Sequence, residues 1–316
     1  TVKENYKYAR DVSSLDFFAL TDHDWQIEDE EDWEKLLNAA DNYNEKSNFI
    51  TIPAVEWTSA RYGHRNVYFA DSENAPFVSC GPKNSITESQ TPEELWQQLR
   101  DDNSKAITIP HHPKSGFFPV DWSYHDPEFE RLVEIYSTWG NFETDPVSFE
   151  GWSSDREPVC GAREAVDKGY NLGFIASSDG HDGNAGNAQW CNRQPHIAHR
   201  LGSGRVVVWA DSLTREDVFE ALYQRRCYGT TGTRILLDFK VNNQWMGSVI
   251  KAASGDSINI KAHIEGTCFI DKIELIKNGR VFKKWDDFNK KEVVDLEVTD
   301  KVTDECNYYL KVIQND

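Results

Sequence analysis

The stretch Leu15-Asp16-Phe17-Phe18-Ala19-Leu20-Thr21-Asp22-His23-Asp24 decides how the rest of the chain is read. Residues 17–21 are mostly apolar and have the length of a buried strand, and they stop at three side chains that can ligate a metal or move a proton. Folding alone does not require that ending. The same event recurs along the chain: residues 52–55 run into Glu56, 106–109 into Pro110, His111 and His112, 132–133 into Glu134, and 174–178 into Asp179, Gly180 and His181. In a closed sheet of parallel strands wrapped by helices, all carboxyl ends meet at one face, so these scattered groups would converge there. The pattern predicts a metal-site enzyme built on an α/β barrel.

Working outward, Val2, Tyr6, Ala9 and Val12 have helical spacing, so the chain enters the first strand from a helix. Trp33, Leu36, Leu37, Ala40 and Tyr43 form one apolar stripe behind the acidic run 28–32, which suits a helix amino terminus. Residues 49–55 read as the next strand, and Gly63-His64-Arg65-Asn66 leads into another at 67–69. Thr91-Pro92-Glu93-Glu94 is a capped helix start, and Thr214 opens a second helix through 226. Residues 110–127 are a long aromatic and proline-containing loop, suited to walling a site. Strands are expected at 172–177 and 206–209, with a helix end at 163–168. The alternation of strand and helix is the sign of an α/β architecture.

The pattern changes near Arg234. Ile258, Ile260, Ala262 and Ile264 alternate with polar residues, and Lys277-Asn278-Gly279-Arg280 is a tight hairpin turn. The expected organisation is therefore a barrel domain over residues 1–234 and a small all-β, sandwich-like domain over 235–316.

Composition narrows the partners. Of 316 residues, 53 are acidic and 34 basic, a net charge of −19, which disfavours a nucleic-acid backbone or an anionic membrane as partner. No run of 18 apolar residues is present, so no bilayer span is expected, and the composition fits a soluble chain, cytoplasmic or exported. The six cysteines, at 80, 160, 191, 227, 268 and 306, include no Cys-x-x-Cys pair and read as isolated thiols, with one or two disulfides as the alternative.

Thr21-Asp22-His23, Val55-Glu56-Trp57, Gly63-His64, residues 110–113 and Ser178-Asp179-Gly180-His181 come in the order of the PHP superfamily, named for polymerase and histidinol phosphatase. The sequence resembles most a branch of it catalogued as a domain of unknown function. The resemblance implies a distorted seven-stranded α/β barrel, up to three divalent metals (zinc, manganese or iron) and hydrolysis of phosphate esters. By position it implies His23, Glu56, His64, His111 or His112, Asp179 and His181 as metal ligands, with Asp179, His181 and Glu56 carrying the catalysis. It also implies an earlier His-x-His strand and a further ligand. The chain starts downstream of these, so it is expected to be a fragment or to hold a reduced site, with a gap beside residues 17–21.

The residues argue for themselves as well. His23 and His181 follow aspartates at strand ends, where a ligand is more at home than a core imidazole. Glu56 after an apolar strand needs a cation or an arginine beside it. Asp179 either caps a turn or ligates together with His181. Glu134 stands between a partner of the ligands and a structural ion pair. Arg65, Lys114 and Arg234 are candidates for holding a small anionic substrate. His125, His196, His199 and His263 read as loop or surface residues. A carboxylate and imidazole set without thiolates suits zinc, manganese or iron, and such ions hydrolyse phosphomonoesters or diesters. Two other readings stay open: an amidohydrolase-type enzyme acting on amides or lactones, and a catalytically reduced binding protein.

Overall fold

A computed structural model describes residues 1–82, 90–114, 118–143, 161–181, 183–186 and 203–315. The chain forms two compact units, Thr1–Gly232 and Thr233–Asp316.

In the first unit, Thr1 caps a helix α1 (Val2–Lys7) through a capping box with Glu4, and the coil continues as a π-helical turn, Tyr8–Val12. Strand β1 (Phe17–Ala19) pairs in parallel with β2 (Ile50–Ile52), and α2 (Glu30–Tyr43) makes the crossover between them. Strands β3 (Ala54–Trp57), β4 (Arg65–Phe69) and β5 (Ala106–Pro110) form an antiparallel sheet, with α3 (Pro92–Asp101) between β4 and β5 in sequence. Strand β6 (Leu132–Ser137) lies between a short antiparallel β7 (Gly140–Asn141) and a parallel β8 (Gly173–Ala176), which α4 (Ala162–Asp167) precedes. Strand β9 (Arg205–Val208), α5 (Arg215–Tyr223) and β10 (Cys227–Thr230) close the unit, with β9 and β10 antiparallel.

The expected seven-stranded barrel is not found. Among the described residues the strands of this unit fall into four small sheets of two or three strands, mostly antiparallel, and no closed ring exists. The expectation of one strand missing from such a ring falls with it. The reason lies in the connection 58–64 between β3 and β4, which is shorter than the dozen or so residues a parallel crossover needs. A chain that turns back so soon can only pair antiparallel, and β4 does so in the register Glu56↔Asn66 and Trp57↔Arg65.

Two cores result. Residues 55, 57, 67 and 69 face one way and pack with Leu95, Trp96 and Leu99 of α3 and Trp33 of α2. Ile50, Ile52, Ile107, Ile109, Leu132 and Ile175 form the other core, with Val218, Phe219 and Leu222 of α5. The two-residue period of the strands separates them, and it also decides which polar side chains reach the site.

The second unit holds an antiparallel sheet of β11 (Leu236–Val241), β12 (Gln244–Trp245), β13 (Ser257–Glu265) and β16 (Val293–Lys301). Its other sheet comprises β14 (Ile270–Lys277), β15 (Arg280–Trp285) and β17 (Tyr308–Gln314). Ile258, Ile260, Ala262 and Ile264 are buried, as their alternation predicts, and Asn278 and Gly279 turn the β14–β15 hairpin at positive φ.

Candidate metal centre

The groups that end the strands come together in one place. Beyond β1 the chain stays beside β3: the backbone N–H of Glu56 donates to Asp22 O at 3.0 Å, and His23 forms a parallel bridge with Glu56. Because β4 runs antiparallel, its beginning lies at the end where β5 finishes, and His111 N–H donates to His64 O at 3.0 Å. Beside His64, Gly63 lets Val120 pack close against the backbone. Its φ is +81° and a Cβ there would stand 2.6 Å from Val120 Cα, so a side chain would be both strained and blocked.

Glu56 is 4% exposed and stands between two imidazoles, with His23 Nδ1 at 3.2 Å from Oε2 and His64 Nδ1 at 2.7 Å from Oε1. The second contact is close but not aligned for a hydrogen bond, so Glu56 Oε1 and both ring nitrogens of His64 are buried without hydrogen bonds among the described residues. Buried groups in this state cost free energy unless something else satisfies them. Ligand atoms of Glu56, His64 and His112 lie within 4.8 Å of one another, and so do those of His111, His112 and Asp179. His112 belongs to both groups. Both His111 and His112 therefore stand near other potential ligand atoms.

Glu134, wholly buried in β6, organises that pair. Its Oε2 is 2.9 Å from His111 Nδ1 and takes the Ser177 hydroxyl, while Oε1 accepts the His112 backbone N–H at 3.0 Å. His111 Nε2 is thereby turned to Asp179, 3.2 Å away. A carboxylate behind an imidazole fixes the ring's orientation and tautomer, the arrangement that metal-ligating histidines use. His112 and Asp179 both hold positive φ, 32° and 47°, sparsely populated backbone that persists where the surroundings over-determine it. His181 is half exposed, with Nδ1 3.1 Å from Asp179 O and its ring 6.0 Å from that of His23.

Charge follows geometry. Burial pushes the Glu56 carboxyl up, but the His23 and His64 imidazoles outweigh it and hold it well below the usual range. Burial likewise works against a charged His111, yet Glu134 and Asp179 raise it well above an ordinary imidazole. Burial, with His111 and His64 nearby, drives His112 well below, so it is a neutral donor. Asp179 is raised by burial and lowered more by His111, ending low. The proton held on His111 between two carboxylates lies where a cation would place its charge. The donor set, its burial and the unsatisfied atoms of Glu56 and His64 fit a divalent ion with nitrogen and oxygen ligands.

A cavity of about 360 Å³ opens onto this cluster, the size of small-molecule sites. His23, Glu56, His111, Asp179 and His181 line it, and residues 17–22 form one wall along the edge of β1 that β2 does not occupy. Arg205 at the start of β9 also lines it, with Nη2 donating to Gly186 O at 2.8 Å. No pattern in the sequence pointed to Arg205.

Of the three expected substrate cations, Arg65 faces away from the cavity. Arg65 has the parity of Val67 and Phe69, so it faces α3 rather than the cavity. It is fully buried, paired with Glu130 at 2.6 Å and set near the Trp57 and Trp96 rings, and His125 closes on the same Glu130 at 3.2 Å. Lys114 is not among the cavity-lining residues, and Arg234 belongs to the second unit. His196, His199, Cys160 and Cys191 lie outside the described residues; Cys80, Cys227, Cys268 and Cys306 are free thiols.

The first unit and its cluster define a protein with a buried carboxylate and imidazole pocket at the ends of several small sheets. A family described as Protein of unknown function (DUF3604) matches residues 3–147 and 189–261, more than half of the chain, and the chain belongs to it. This corrects the resemblance to the PHP superfamily, since the matching family is the one of unknown function. The matched residues include His23, Glu56, His64, His111, His112 and Glu134, and the interval between the two blocks holds Asp179 and His181. An uncharacterized protein of Chlamydia pneumoniae is 28% identical over 333 residues, covering 98% of this chain and 52% of its own length. Another, from Chlamydia trachomatis serovar D, is 28% identical over 335 residues, 98% of this chain and 51% of its own. The chain thus spans about half the length of the curated relatives it matches. Among the described residues no helix is long and apolar enough to cross a membrane.

Proposed function

We propose that this chain is a divalent-metal-dependent hydrolase of small phosphate esters. One observation carries the reading: two groups of potential ligands that share His112 sit behind a small-molecule cavity, with Glu134 holding two of the histidines from the far side. His112 as a neutral imidazole has one lone pair to give, so it would join either Glu56 and His64 or His111 and Asp179 in holding an ion. A bound ion of this kind supplies Lewis acidity to a phosphoryl oxygen and lowers the pKa of water. The protein does the rest. Arg205 gives the cavity a cation to which an anionic group can bind. His181, with Nδ1 engaged by Asp179, keeps Nε2 as the atom that can pass a proton to a departing oxygen. The apolar wall of Phe17, Phe18 and Leu20 excludes water from the reacting group.

The test is elemental analysis of the purified chain, followed by assays with phosphomonoesters and phosphodiesters in the presence of manganese, zinc or iron(II). Bound metal with phosphoester turnover is expected. Turnover of amides or lactones instead would make it an amidohydrolase-type enzyme, and bound metal without turnover a binding protein. No lysine lines the cavity among the described residues.

A further inference from the structure

One polar side chain in the cavity is used neither by the donor cluster nor by the fold. Asn66 sits in β4 opposite Glu56 on one side and Ile109 on the other, and is 3% exposed. Its parity places it with Tyr68 on the cavity side of the sheet, between Glu56 on β3 and the fully buried Ile107 and Ile109 of β5. Its Oδ1 is buried and has no hydrogen-bond partner among the described residues. An apolar residue of similar size would pack there without leaving an acceptor unsatisfied, so folding gives no reason for asparagine here.

We infer that Asn66 is a substrate-contacting residue, and that its Oδ1 accepts a hydrogen bond from a hydroxyl or amino group of the bound ester. This rests on the reading of the cavity as a phosphoester site and names the substrate class more closely: a small organic phosphate whose carbon part carries a hydrogen-bond donor close to the phosphoryl group. The register supports it, because Asn66 is the direct cross-strand neighbour of Glu56, and a group held at Glu56 leaves its nearest substituent beside Asn66. A site built to satisfy a buried acceptor discriminates against ligands that lack the donor, since binding them leaves the acceptor unpaired in a drier pocket.

The experiment compares glycerol 3-phosphate with propyl phosphate, which has the same chain length and phosphate but no hydroxyl, on the metal-loaded protein and on its Asn66→Leu variant. Affinity is read by calorimetric titration and by the ligand-induced rise in melting temperature, neither of which requires turnover. The wild type is expected to prefer glycerol 3-phosphate by at least about tenfold. Asn66→Leu should retain its metal and a melting temperature at least equal to wild type, and should lose the preference. Should leucine fail to pack, Asn66→Ala with the same two ligands gives the same reading. An equal preference in wild type and folded variant, no preference in either, or no binding of either ligand overturns the inference. A preference that Asn66→Leu abolishes, in a protein that hydrolyses neither ester, upholds the contact and removes the hydrolase reading instead.

Discussion

Two histidines among the described residues stand between two carboxylates, and they mean different things. His111 has Glu134 at 2.9 Å and Asp179 at 3.2 Å; His263 in the second unit has Asp295 at 2.8 Å and Glu265 at 3.0 Å. The contacts match, but the surroundings do not. His111 is 2% exposed, with Glu134 wholly buried and Asp179 only 9% exposed, whereas His263 and its partners on β13 and β16 reach water. Water screens the outer triad to a surface ion pair worth little. Inside, each charge must be answered by another group, so the inner triad extends through Ser177 and the His112 backbone. What distinguishes a candidate site from a decorated strand is thus the environment more than the residue types.

The sharpest way to break the comparison is to remove a donor. Asp179→Asn is expected to lower metal content and turnover by more than about 100-fold, beyond the 10- to 100-fold that loss of a merely orienting partner brings. Elemental analysis together with melting curves checks it. Unchanged metal content with a large drop in melting temperature would make Asp179 a structural residue.

Next in size is the Arg65–Glu130 pair, buried charges with no view of the cavity. Arg65→Met leaves Glu130 buried with only His125 beside it and should destabilise the fold by about 3–5 kcal/mol. Denaturant unfolding measures this, and ligand affinity in the folded fraction should not move. A selective loss of phosphate binding would return Arg65 to the site.

Glu134→Gln sharpens the comparison further, because it keeps the shape and removes the charge that orients His111. Metal affinity or activity is expected to fall by about 10- to 100-fold while the chain stays folded, as followed by metal titration. An effect as large as that of Asp179→Asn would make Glu134 a ligand itself.

The smallest effect belongs to His263. Its hydrogen bonds to Glu265 and Asp295 raise its pKa, so whatever stability the triad contributes is fully present below the ordinary imidazole value of about 6.5 and is lost as pH rises through the raised folded value. His263→Ala should leave metal content unaltered and flatten this shallow slope in melting temperature between pH 6 and 8. A change in metal content would contradict the separation drawn here between the two triads.

The strand ends carried much of the site in plain view. Glu56, His111 and Asp179 each interrupt or end an apolar run with a group that is costly to bury, and that anomaly is local, so sequence shows it. Arg205 opens an ordinary Val-rich strand and Asn66 occupies one position of a strand of mixed polarity, so nothing nearby marks either of them. The barrel expectation fails for a related reason: alternating strands and helices are visible in the sequence, but the direction in which they pair is set by connections such as the short 58–64 segment.

By itself, then, the sequence determined where most of the strands lie, which of their ends bear side chains able to ligate a metal, and that the last quarter alternates as β structure. Pairing direction and strand parity belong to the tertiary structure. They put His64 beside His111, turned Arg65 away and Asn66 inward, and made Glu134 the shared support of two histidines. These are relations between residues distant in the chain, set by how the sheets close on one another, and a local pattern carries no term for that distance.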